Sequence, residues 1–178
     1  MIKNKFLGFA FFILTLFMAF NFQACKKKKE ESELITTVII HLYKSTVSTG
    51  NYSWKDPDGD GGDAPLLADT LKLDSGQVYT ANLDFLDESS STTKDLTSEI
   101  RQEAKNHLVC FASTPNNLTI KIKDSDGTFP IGLESEFTAV TKGHCKLRIT
   151  LRHQPGVKNG TCDPGESDVD VEFPVIIK

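Results

Sequence analysis

The chain has 178 residues, 39% hydrophobic and 25% charged, with a formal net charge of −4. From residue 34 onward 14 basic residues stand against 21 acidic ones, a balance of −7; this excludes a nucleic-acid binder built on clustered Lys and Arg. The roughly 145 residues of that stretch hold one domain with a real core and leave no room for two. Only one long apolar stretch exists, which excludes a multi-pass membrane protein.

That stretch opens the chain. Lys3 and Lys5 precede a run from Phe6 to Phe20 that is apolar apart from Gly8 and Thr15. A basic start followed by a short apolar run is the pattern of a secretory signal, and the run is short for a spanning helix. Phe22-Gln23-Ala24-Cys25 ends it. A lone cysteine after a small residue at this point resembles the lipobox of bacterial lipoproteins. The resemblance implies removal of residues 1–24 and diacylation of Cys25, with palmitate-type chains holding the protein to the membrane. Residues 26–33, Lys-Lys-Lys-Lys-Glu-Glu-Ser-Glu, then read as a solvated tether, because such a charge run cannot pack. The Lys-Glu-Glu step resembles a surface-export signal of Bacteroidota-type lipoproteins, and leaves both faces of the outer membrane open.

Beyond the tether, apolar and polar residues alternate with period two, the pattern of half-buried strands. Residues 34–43 are apolar on both faces and predict a central strand. In residues 78–85, Tyr79, Ala81, Leu83 and Phe85 share one face. Residues 118–123, 145–153 and 169–177 alternate in the same way, and 52–55, 69–73, 108–111 and 136–140 predict shorter strands. Pro174 has no N–H to give a neighbour, so the last strand should have an edge there. One segment breaks the pattern. Leu96, Ile100, Ala104 and Leu108 fall four apart behind Asp95, which predicts a capped three-turn helix over about residues 95–107 crossing between strands. The expected fold is a mostly β, antiparallel sandwich of immunoglobulin-like or transthyretin-like shape, spanning residues 34–178 as a single domain.

The sharpest chemical signal lies between two predicted strands, in Asp56-Pro57-Asp58-Gly59-Asp60-Gly61-Gly62-Asp63. Carboxylates at alternate positions can curl around one hard cation, and glycines let the loop turn sharply. The expectation is a structural Ca2+ held by Asp56, Asp58, Asp60 and Asp63. The core resembles the first half of an EF-hand loop, but the position of the bidentate glutamate is Leu67, so Asp63 or Asp69 would supply the missing oxygens. Asp124-Ser125-Asp126-Gly127 and residues 163–168 are explained as turns.

Among the histidines, His107 closes a Glu99, Glu103, His107 series spaced four apart, and His153 ends a strand ahead of Gln154-Pro155-Gly156. Each is explained by hydrogen bonding at an element end; together, with or without Cys145, they would form a transition-metal or haem site that spacing alone cannot assemble. Cys110, Cys145 and Cys162 remain once Cys25 carries lipid; three is odd, so at least one thiol stays free or pairs between chains. There is no CxxC, and the nucleophile-elbow, zinc-protease, P-loop and dinucleotide patterns do not occur. A non-enzymatic role follows as the expectation.

The segments Glu33 to Val38, Lys55 to Gly62, Glu103 to Leu108, Leu147 to Pro155, Asp168 to Val171 and Phe173-Pro174-Val175 together resemble a group of small Bacteroidota-type lipoproteins. That resemblance covers nearly all of the chain after the signal. It implies an outer-membrane binding or accessory module of the kind that accompanies TonB-dependent uptake receptors, and no settled activity.

Overall fold

A computed structural model describes residues 34–59 and 64–178. The signal segment 1–24, Cys25, the tether 25–33, and Asp60 and Asp63 lie outside the described residues. The architecture follows from where the period-two faces are buried. β1 (Thr37–Lys44) pairs on one side with β2 (Val47–Lys55) and on the other with β5 (Val78–Asp87). A strand flanked on both sides sits inside its sheet, as its two-faced apolar pattern predicts. β3 (Leu67–Ala68) extends that sheet beyond β2, and β9 (Glu134–Ala139) then β8 (Leu118–Ile122) extend it beyond β5, where the short β6 (Lys94–Asp95) also pairs. The second sheet runs β4 (Leu71–Leu73), β11 (Glu166–Ile177), β10 (Gly143–His153), β7 (His107–Thr114).

The two inner faces make the core. Tyr79, Ala81, Leu83 and Phe85 of β5 are buried, as are Cys145, Leu147, Ile149 and Leu151 of β10 and Val169, Val171, Phe173, Val175 and Ile177 of β11. Phe111 of the second sheet meets Phe137 of the first edge to face, ring centres 5.8 Å apart. The antiparallel β-sandwich is the predicted fold. The β4–β11 pair is its parallel exception, a pairing between distant segments that periodicity does not reveal. β4 engages β11 only from Val175 onward, so Pro174 lies just outside that ladder, where its missing N–H costs no bond.

The helix is shorter than its apolar stripe. α1 covers Thr97–Gln102 only, not 95–107. Leu96, Ile100 and Leu108 are buried as the stripe predicts, but the last is already strand. Six residues are too few to hold a helix by themselves, and pairing of His107 with His153 across the β7–β10 ladder draws the chain into extended form. Tertiary pairing overrides local periodicity here. The start is fixed by Asp95, whose Oδ1 accepts from the Thr97 N–H at 2.9 Å, and by Thr97 Oγ1, which accepts from the Phe85 N–H at 2.9 Å.

Candidate functional site

Only the first half of the acidic loop is described. The Asp56 N–H donates to the Thr36 carbonyl at 2.8 Å, and the Asp56 carbonyl accepts from Gly59 at 3.2 Å. Gly59 turns the chain at φ +80°, a left-handed conformation that suits glycine. Asp56 is buried at the base of the turn and Asp58 is exposed. Asp69 is engaged elsewhere: its Oδ2 accepts from the Ser53 N–H at 2.9 Å, which ties it to β2. Among the described residues no group of three or more His, Cys, Asp or Glu side chains is placed to share a metal.

The two histidines that spacing could not join are neighbours. β7 and β10 pair antiparallel with His107 opposite His153, and the rings stack with centres 4.9 Å apart and planes 11° from parallel. A third group reaches them through a bulge. Leu151 faces Val169 while Arg152 faces Ser167, so Asp168 is the extra residue on β11. A bulge re-aims a side chain, and Asp168 is buried alongside Val169 instead of opposite to it. Its Oδ2 lies 3.7 Å from His107 Nε2. The expected turn over 163–168 therefore gives way to strand from Glu166, and Asp168 is the site residue that sequence reasoning missed. Its signal was present only as an Asp beside an inward-facing Val, which means nothing until the register is known.

His107 Nδ1 lies 3.2 Å from the Glu103 carbonyl, which can only accept, so Nδ1 carries the proton. In the neutral ring Nε2 then presents a lone pair toward Asp168. Burial holds the His107 imidazole below its ordinary value of 6.5, against the pull of the Asp168 carboxylate and the Glu103 carbonyl. The unfolded chain therefore takes up this proton first as pH falls below about 6.5, and stability present above that pH is lost on acidification. Urea midpoints at pH 7.5 and 5.5 check this: the parent should lose stability between them, and His107→Gln should flatten that part of the profile.

Imidazole lone pairs lie in the ring plane, so two nearly parallel stacked rings do not aim at one ion. A shared metal would require one ring to turn. Cys145 cannot join them, because it stands opposite Val175 near the other end of β10. Glu99 and Glu103 do not form a ligand row with His107 either: Glu99 pairs with Lys94 at 3.0 Å and the helix ends before Glu103.

The Arg152-His153-Gln154-Pro155 stretch organises the loop that follows. Arg152 Nη2 donates to the Gly165 carbonyl at 2.5 Å. Fully buried Gln154 donates through Nε2 to the carbonyls of Thr161 and Pro164, both at 2.9 Å. Gly165 must be glycine, since a Cβ there would stand 2.0 Å from the His153 carbonyl oxygen. Lys158, sealed inside, donates to the Ala104 carbonyl at 2.7 Å and pairs with Asp126 at 2.9 Å. A disulfide between Cys110 and Cys162 pins the loop to β7, and Cys145 is the free, buried thiol.

One long groove, of about 540 Å³, is lined along the open side of the sandwich by β7 and β8. Each is a terminal strand of its sheet, which ends on the other side in β4 and β3 respectively. Phe111, Leu118, Ile120 and Ile122 line it, with Pro130 and the Cys110–Cys162 bridge at its border. No Asp, Glu, Lys or Arg belongs to the lining. Cys110, Cys162 and the alternating residues of 118–123 stand out in the sequence singly, but what brings them to one groove is the order of strands in the sheets. No protein family, curated protein or solved structure matches the chain.

Proposed function

We propose that this is a non-enzymatic, lipid-anchored binding module of a bacterial outer membrane, working beside an uptake receptor. Cys25 carries the lipid, residues 26–33 hold the domain off the bilayer, and Ca2+ braces the loop of Asp56, Asp58, Asp60 and Asp63. The observation that supports a binding role is the open groove between β7 and β8, an uncharged trough with apolar side chains partly exposed in it. The acidic loop is a brace and not the binding surface: Asp56 is anchored to the backbone of Thr36, at the entry to β1.

Two measurements test this reading. Labelling of growing cells with radioactive palmitate should mark the parent chain and not Cys25→Ser, and the variant should leave the membrane fraction. An unlabelled parent ends the lipoprotein reading. Calcium at about 1 mM, the range of weak extracellular sites, should raise the melting temperature of the parent. It should leave Asp58→Ala unchanged, and no shift in the parent ends the calcium reading. The second reading is a transition-metal or haem accessory lipoprotein; β7 and β10 bring His107 and His153 side by side, and one ring would have to turn for both to reach one ion. Zinc, copper or iron retained by the purified native protein and lost in His153→Ala would place it first.

A further inference from the structure

The groove has a property that an apolar trough lacks: both its walls are strand edges. The Val109 N–H donates to the Ile131 carbonyl at 2.7 Å, away from β10. Backbone direction alternates along a strand, so Phe111 and Ser113 also turn their N–H and C=O away from β10. On β8 the Lys123 N–H donates to the Glu134 carbonyl at 2.8 Å, towards β9. By the same alternation Leu118, Ile120 and Ile122 turn theirs outward. Among the described residues none of these five outward amides has a backbone acceptor. Unpaired edges of this kind are templates for another strand.

Two features select the occupant. β8 is five residues long, about 17 Å, which sets the length of the segment. The lining carries no charged residue. Lys121 and Lys123 alternate with the inward Ile120 and Ile122 and so leave the opposite face, where Lys123 pairs with Glu136 at 3.4 Å. A charged segment would lose its hydration in the groove and find no counter-charge. An uncharged segment would regain its backbone bonds.

We propose that the groove between β7 and β8 captures an extended, uncharged polypeptide segment of about five residues by strand addition. Backbone pairing would supply the affinity, and contact with Phe111, Ile120 and Ile122 would select apolar side chains at alternate positions. The inference rests on the reading of the chain as a binding module and names the class of ligand.

The test uses the full chain and a synthetic library of uncharged heptapeptides. Selected peptides should slow hydrogen exchange at the amides of Phe111 and Ser113, or of Leu118, Ile120 and Ile122, by about tenfold or more. Methylating alternate peptide nitrogens removes their donors and should weaken binding at least about tenfold. Ser113→Pro deletes an outward N–H without touching the β10 ladder, which proline tolerates at an edge. It should weaken binding relative to Ser113→Ala, which likewise loses the hydroxyl bond to the Pro115 carbonyl, and Lys121→Ala on the outer face should bind as the parent does. The proposal is overturned if no peptide is selected, if binding leaves all five amides unprotected, or if the methylated peptides bind equally well. Those failures would leave palmitate labelling and the membrane fraction unchanged, so they are distinguishable from failure of the anchored reading itself.

Discussion

Breaking the Cys110–Cys162 bridge should cost the domain about 4 kcal/mol, the loop-closure entropy returned to the unfolded chain by opening a crosslink across 52 residues. The crosslink spans β7 through β10 and the loop beyond, so it removes freedom from much of the chain at once. Urea unfolding of Cys110→Ala/Cys162→Ala against the parent measures this. The double variant avoids leaving one thiol able to pair wrongly. A loss below about 1 kcal/mol would mean that the unfolded chain is already compact or that the bridge strains the fold. The free thiol gives an internal check: Cys145 is buried, so it should resist alkylation in both proteins until they unfold. The loss should fall first on the loop that carries Gln154 and Lys158, seen as faster exchange of its amides.

Replacing Lys158 by Met should cost about 1–2 kcal/mol, because it leaves a part-buried carboxylate without its charged partner. The side chains of Lys158 and Asp126 are 3% and 5% exposed. Asp126 also accepts from the N–H groups of Phe129 and Thr128, both at 2.8 Å. Those bonds, that of Phe129 first, together with Lys158, hold its carboxyl down to about 2 from an ordinary 3.8. The folded pKa is depressed, so the stabilisation is complete above about pH 4, the unfolded value, and disappears as pH falls towards 2. Acid unfolding of Asp126→Asn should lack that step. The double variant Asp126→Asn/Lys158→Met should recover most of the loss of Lys158→Met, since replacing both partners leaves no buried charge. If the two single changes add, the pair is not coupled. Lys158 also bonds the Ala104 carbonyl, so its replacement should loosen the turn that follows α1 as well as the 124–130 turn.

What the sequence determined by itself is local. Alternation of side chains along a strand depends on backbone geometry alone, so the inward faces of β5, β8, β10 and β11 were legible in the order of residues. The fold class follows, since faces of that kind must be buried against one another. The edge at Pro174 was legible because a missing donor is a property of the residue. Tertiary structure decided everything that depends on which strands meet. Pairing of β7 with β10 cut the helix short, stacked His107 on His153 and fixed which cysteine stays free. A single register shift on β11 turned Asp168 inward, a change of face that no composition predicts. Sheet order made β7 and β8 terminal strands, with β4 and β3 at the opposite ends of their sheets. The sequence marked single residues of the groove between β7 and β8, Cys110 and Cys162 among these, but not the groove itself, because its chemistry is carried by backbone groups that every residue has. Periodicity determines which side of a strand is buried, whereas long-range pairing determines which backbone is left unpaired, and the proposed binding surface depends on the second.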